Sequence, residues 1–174
     1  MSFRVATTVV ASITLLFVLP AFLLAAEVKS DSKANLLKPT NKLDSWRFEQ
    51  HEAGKGMMTV DGDAIVFDVT TTGTEPWHVQ ATQTNLDLAD GKEYVLTFKA
   101  KASPDRSMQV NAMIDKDDWH QIGLSELADV GKEWKDYKYE FKADQTLKEK
   151  NRISFILGGD KGKVWLKDVV LTAK

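Results

Sequence analysis

The chain of 174 residues contains no cysteine. Disulfide scaffolding, thiolate metal sites and thiol catalysis are therefore excluded. Glycine and proline are scarce, at 10 and 4 residues, which excludes a collagen-like or low-complexity chain. There is no basic surplus either: 23 Lys and Arg stand against 25 Asp and Glu, a net charge of -2. A nucleic-acid binder neutralises phosphates with excess cations, and this chain has none to offer. The histidines, His51, His78 and His120, are scattered and lack the His-x-x-x-His spacing of a zinc site. No Gly-x-Ser-x-Gly elbow, phosphate-cradling glycine loop or dinucleotide fingerprint occurs. What is present is the composition of one folded domain with a short extension, 43% hydrophobic and 28% charged.

The extension is N-terminal. Arg4 is followed by VATTVVASITLLFVLPAFLLAA, without a charge until Glu27. A positive start, an apolar middle and the small residues Ala25 and Ala26 read as a signal peptide over residues 1–26. This predicts a secreted or periplasmic protein. The competing reading is an uncleaved membrane anchor, because the apolar run is about long enough to span a bilayer. Residues 27–34 read as a short polar leader, and residues 35–174 as one domain.

Within that domain the dominant period is two. In EYVLTFKAKA, the residues Tyr94, Leu96, Phe98 and Ala100 share one face. Met108, Val110, Ala112 and Ile114 do the same in RSMQVNAMID, as do Tyr137, Tyr139 and Phe141 in DYKYEF. Ile153, Phe155 and Leu157, then Val164 and Leu166, continue the pattern. Such alternation marks half-buried antiparallel strands. Turn signals separate them at Asp61-Gly62, Asp90-Gly91, Ser103-Pro104, Gly158-Gly159 and Lys161-Gly162. About eight to ten strands at this spacing predict an all-β sandwich of jelly-roll type. The one helix candidate is QIGLSELADV.

The chemistry-bearing signal is five tryptophans, several beside amides. Flat indoles match the C–H faces of sugar rings, and planar amides can both donate to and accept from hydroxyls. The candidates are Trp77 with Gln80 and Gln83, then Asn111, Trp119, His120 and Gln121. Trp77 shares strand parity with the apolar Val79 and Ala81, so core and rim positions stay equally open for it. Gln80 and Thr82 have the opposite parity and are expected to face away from the core, as are Gln109 and Asn111. Trp134 reads as packing, and Trp46 and Trp165 as structural or edge residues. Asp115-Lys116-Asp117-Asp118 starts like a calcium loop but lacks its glycine and terminal glutamate, and reads as a solvated turn.

Taken together, TEPWHVQATQTNLDLADGKEYVLTFKAKAS, WKDYKYEF and ISFILGGDKGKVWLKDVVL resemble the carbohydrate-binding modules of the CenC type, the family 4/9 group. The resemblance covers roughly residues 35–174. It implies a galactose-binding-like β-sandwich that holds a polysaccharide or oligosaccharide such as xylan, cellulose or another β-glucan without hydrolysing it. It carries ligand contacts onto Trp77 and Gln80 and places Trp119 near a second aromatic position; the amide argument adds Asn111 and His120. It also implies a possible structural calcium, to which Asp168 in the last strand would contribute. The opening NLLKPTNKLDSWRFE departs from the family's acidic signature there. Lys174 follows the last strand pattern directly, so the expectation is a free-standing, probably-monomer-sized module with no catalytic residues, no nucleic-acid partner and no membrane contact after signal cleavage. Two other classes stay open: an exported adhesive domain that binds a protein, and a small glycan hydrolase with two carboxylates in its groove.

Overall fold

A computed structural model describes residues 34–174. The signal segment 1–26 and the leader up to residue 33 lie outside the described residues. Ten strands follow in order: β1 (Arg47–Gln50), β2 (Lys55–Asp61), β3 (Ala64–Thr71), β4 (Val79–Leu86), β5 (Glu93–Ser103), β6 (Arg106–Ile114), β7 (Gln121–Val130), β8 (Lys135–Lys142), β9 (Asn151–Ile156) and β10 (Gly162–Ala173). Two short 3-10 turns, Leu43–Ser45 and Pro76–His78, complete the elements. The strands form two five-stranded antiparallel sheets, ordered β1-β4-β9-β6-β7 and β2-β3-β10-β5-β8. The first is called the front sheet below and the second the back sheet.

The alternating residues close the sandwich. Tyr94, Leu96, Phe98 and Ala100 of the back sheet are buried against Met108, Val110, Ala112, Ile153 and Phe155 of the front sheet. Phe98 sits at the centre, stacked on Tyr137 at 4.9 Å and edge-on to Phe155 at 5.2 Å. Trp46 caps the same cluster, edge-on to Phe67 and Phe155, and its indole N–H donates to the Thr40 carbonyl at 2.8 Å. The sequence leaves Trp46 and Trp165 unassigned between structural and edge roles: Trp46 is core, while Trp165 is half-buried on the outer surface of the back sheet. At Asp61-Gly62 the register of Asp61 opposite Ala64 leaves a two-residue hairpin loop, and Gly62 takes φ +61, which a side chain would strain.

One element differs from expectation. QIGLSELADV is β7, an edge strand, and not a helix. Leu, Glu and Ala favour helix locally, but Ile122, Leu124, Ala128 and Val130 sit at even spacing and bury their side chains along one face. Gly123 adds a second reason, with φ +106 where the β6–β7 register slips between Ala112 and Met113. A Cβ at that position would collide with the Lys142 carbonyl oxygen. Tertiary pairing overrides propensity here.

Phe155→Ala removes a fully buried ring from the middle of this core. It is expected to cost about 3–5 kcal/mol in urea unfolding. A loss below about 1 kcal/mol would contradict this packing.

Candidate functional site

Because strand parity sends alternate residues to opposite faces, the outer surface of the front sheet is fixed by register. Three rows of side chains cross it. Glu49, Gln80, Ile156, Gln109 and Leu127 stand opposite one another from β1 to β7. Two residues along, about 7 Å away, come Arg47, Thr82, Ser154, Asn111 and Ser125. The third row is Arg152, Met113 and Gln121. These rows floor a cleft of about 580 Å³, walled by His51, Glu75, Pro76 and Trp77 and by Trp119.

The floor is polar yet largely out of water. Gln80, Thr82, Asn111, Arg152 and Ser154 are all buried although they face away from the core. Part of their hydrogen-bonding capacity is met within the sheet. The Gln80 amide nitrogen donates to Glu49 at 3.0 Å, and the Thr82 hydroxyl donates to the Arg47 carbonyl at 3.2 Å. The Gln109 amide donates to Ser125 at 3.2 Å. Gln80 Oε1, Asn111 Oδ1, Arg152 Nε and Ser154 Oγ have no hydrogen-bond partner in the protein. Buried polar atoms without partners are rare in folded proteins, and four on one face of one sheet set it apart.

One end of the floor is an ion cluster. Arg47 grips Asp115 through both terminal nitrogens, at 2.8 and 2.5 Å, and donates its Nε–H to Glu49 at 2.7 Å. Arg152, buried, reaches Glu49 at 3.1 Å and Asp115 at 3.4 Å. Burial alone pushes the Asp115 carboxyl upward, but the Arg47 hydrogen bonds and the charges of Arg47, Arg152 and Lys150 outweigh it and hold it below the usual carboxylate value. Burial lowers the Arg152 guanidinium against the pull of Glu49 and Asp115. Asp115 is thus a half-buried ion-pair partner and not the solvated turn residue that the sequence suggests.

Two indoles stand above this floor. Pro76 opens the Pro76–His78 turn, which interrupts strand parity before β4 begins. His78 then turns inward, and Trp77 turns out to 47% exposure. The Trp77 ring rests edge-on against His78 at 4.2 Å, with His51 at 5.5 Å. Of the two positions left open for Trp77, the rim is the one occupied. Trp119 is 46% exposed in the β6–β7 loop, with φ +54, its amide N–H donating to the Lys116 carbonyl at 3.1 Å. Its ring lies over the Arg152 guanidinium at 4.9 Å.

Of the residues singled out from the sequence, Trp77, Gln80, Asn111, Trp119 and Gln121 line this one cleft. Gln83 is buried away from it, bonded to the backbone of Lys38. His120 does not line the cleft. Its Nδ1 bonds Asp118 at 2.9 Å and its Nε2 bonds the Gln145 carbonyl at 2.9 Å, so it braces the loop that carries Trp119. Trp134, expected to pack, is 36% exposed on the back sheet, where Lys101 and Lys167 lie against its ring. Sequence reasoning missed Glu49, Met113, Ile156 and Arg152. Only Arg152 left a signal, an arginine within the apolar run RISFILG at a position that the strand pattern turns away from the core.

The calcium expected from the resemblance was weighed against Asp168. This residue sits on a bulge of β10, exposed, with φ +52 and its carboxylate 3.4 Å from the Lys99 ammonium. Asn35 Oδ1 in the opening segment accepts from the Leu37 and Leu171 amides, and Thr40 Oγ1 accepts from the Val169 amide. Among the described residues no three His, Cys, Asp or Glu side chains gather into a metal-holding group. This donor set does not fit a carboxylate calcium site.

The hydrogen bond to Gln145 and the pairing with Asp118 raise the His120 pKa above its ordinary 6.5. Protonated His120 therefore stabilises the loop fully below pH 6.5, and that contribution fades as pH rises through the higher folded value. An NMR titration is expected to give a midpoint above 6.5, moved back toward it by Asp118→Asn. A wild-type midpoint at or below 6.5 would contradict the bracing role.

Comparison with known proteins bears on the family. A family model described as a carbohydrate binding domain matches residues 33–162. No curated protein matches the chain in sequence. Among solved structures, a family 4 carbohydrate-binding module is similar at TM-score 0.68 and 23% identity, over 80% of this chain and 93% of that one. The second N-terminal cellulose-binding domain of Cellulomonas fimi β-1,4-glucanase C is similar at TM-score 0.67 and 20% identity, over 83% and 97% of the two chains. The N-terminal cellulose-binding domain of the same glucanase follows at TM-score 0.66 and 18% identity, over 81% and 98%. At these identities the structural likeness carries the fold, while the family model spans well over half of the sequence: the chain belongs to the carbohydrate-binding domain family.

Proposed function

We propose that this protein is an exported, non-catalytic module that binds a polysaccharide chain of β-glucan or xylan type in the front-sheet cleft. The observation that carries the reading is the pairing of two exposed indoles, Trp77 and Trp119, with a floor holding four unpartnered buried polar atoms. Indoles cover apolar sugar faces, and amide oxygens accept from ring hydroxyls. Gln80 is preset for that task, because Glu49 holds its nitrogen and leaves Oε1 as the free end. Asn111 contributes a second acceptor. The family supports a carbohydrate ligand, and the two similar domains of the C. fimi glucanase are cellulose-binding.

Catalysis is disfavoured by the state of the cleft carboxylates. A glycoside hydrolase needs one carboxyl free to carry a proton and a second across the bond. Glu49 is held by Arg47 and Arg152 and accepts from Gln80 and Thr82, which leaves Glu75 as the cleft's free carboxylate. Residues 1–26 support export through a cleaved signal peptide.

Two stacked rings with a few hydrogen bonds of about 1 kcal/mol each correspond to a Kd between roughly 10 μM and 1 mM. Affinity electrophoresis against soluble xylan, β-glucan and mannan is expected to show retardation by at least one polymer, with no reducing sugar released. Trp77→Ala and Trp119→Ala should each abolish most of it while changing stability by about 0.5 kcal/mol or less, as exposed positions do. No retardation by any polymer would instead favour a protein-binding role.

A further inference from the structure

We infer that Arg152 is the positioning residue of the cleft: it sets the plane of the Trp119 indole from below and, through Glu49, the direction of the Gln80 amide. This rests on the glycan-binding reading above. Trp119 needs such support. Its φ of +54 is a conformation that bulky side chains rarely hold, and nearly half of the residue lies in solvent. A backbone turn fixes where the indole starts, but not the angle at which its face meets a sugar.

Arg152 has the fixed geometry to supply that angle. It enters from β9, the central strand of the front sheet, and is buried. Its guanidinium carbon stands 4.9 Å from the Trp119 ring centre. Its Nη1 is tied to Glu49 at 3.1 Å and to Asp115 at 3.4 Å, so it cannot swing away without leaving two carboxylates underpaired. A planar cation held in place beneath an indole attracts the ring face and limits its tilt. Arg47 locks the far side of both carboxylates and completes the frame.

The second arm runs the other way. Glu49 accepts from Arg152 on one oxygen and from the Gln80 amide nitrogen on the other. A Glu49 displaced by loss of Arg152 no longer selects which end of the Gln80 amide remains free. Trp119 and Gln80, brought from different strands, therefore depend on one guanidinium.

The experiment compares wild type with Arg152→Met and Arg152→Lys in the Trp119 and Trp119→Ala backgrounds. Three quantities are read: the melting temperature, the indole N–H signal of Trp119 (assigned by its loss in Trp119→Phe), and retardation by soluble β-glucan and xylan. Arg152→Met is expected to shift and broaden the Trp119 signal and to weaken retention about tenfold, the scale of a desolvated cation–π contact. Trp119→Ala should then weaken retention by a smaller factor in the Arg152→Met background than in wild type. Arg152→Lys keeps the charge and the fold but loses the flat contact, so it should restore the melting temperature more than the indole signal. An unmoved Trp119 signal in both variants, or equal Trp119→Ala factors in the two backgrounds, overturns the inference whatever the melting temperature does. Failure of the wild type to bind either polymer would count against the glycan reading instead, and the indole signal would still decide whether Arg152 sets the ring.

Discussion

Two guanidinium groups and two carboxylates share one end of the front sheet, and burial there is tolerated because each charge meets its opposite. Removing one partner from a buried pair typically costs about 3–5 kcal/mol, since the remaining charge is left dry and unanswered. Arg47 and Arg152 divide Asp115 and Glu49 between them, so no member is unanswered. Around that cluster the rest of the cleft is arranged. Glu49 orients an amide, Asp115 anchors the start of the β6–β7 loop, and Arg152 lies beneath the loop's tryptophan. A β-sandwich ordinarily turns such a face to water with loosely held polar groups. Here the face is fixed before any ligand arrives, which lowers the ordering cost of binding.

The sandwich itself is legible because its physics is local. Period-two burial in segments such as Tyr94–Ala100 and Met108–Ile114 follows from the pleat, and the core uses those residues on the expected side. β7 is harder to read. Its composition favours a helix, and what makes it a strand is pairing with β6, a partner that lies outside the local sequence. Trp77 stays ambiguous for a related reason: a three-residue turn set by Pro76 resets the parity just before β4, and periodicity carries no information across such a break.

The cleft is legible in part. Aromatic and amide residue types point to Trp77, Gln80, Asn111 and Trp119, and register then gathers them on one face. His120 shares their neighbourhood in sequence but spends both ring nitrogens on Asp118 and Gln145. Whether a polar side chain faces a ligand or braces a loop depends on contacts 25 residues away, which spacing does not encode. Glu49 and Arg152 escape notice because isolated charges are common on surfaces, and their importance comes from each other. Their separation of 103 residues along the chain hides the pair.

The central claim is that one face of one sheet receives a glycan chain. Backbone amide chemical-shift mapping tests it most directly, with xylo- and cello-oligosaccharides titrated separately into the labelled protein. The account predicts saturable shifts centred on Gln80, Asn111, Met113 and Trp119, with the back-sheet residues around Lys101 and Trp165 unmoved. Shifts centred on the back sheet, or on the turns at the sandwich ends, would contradict it.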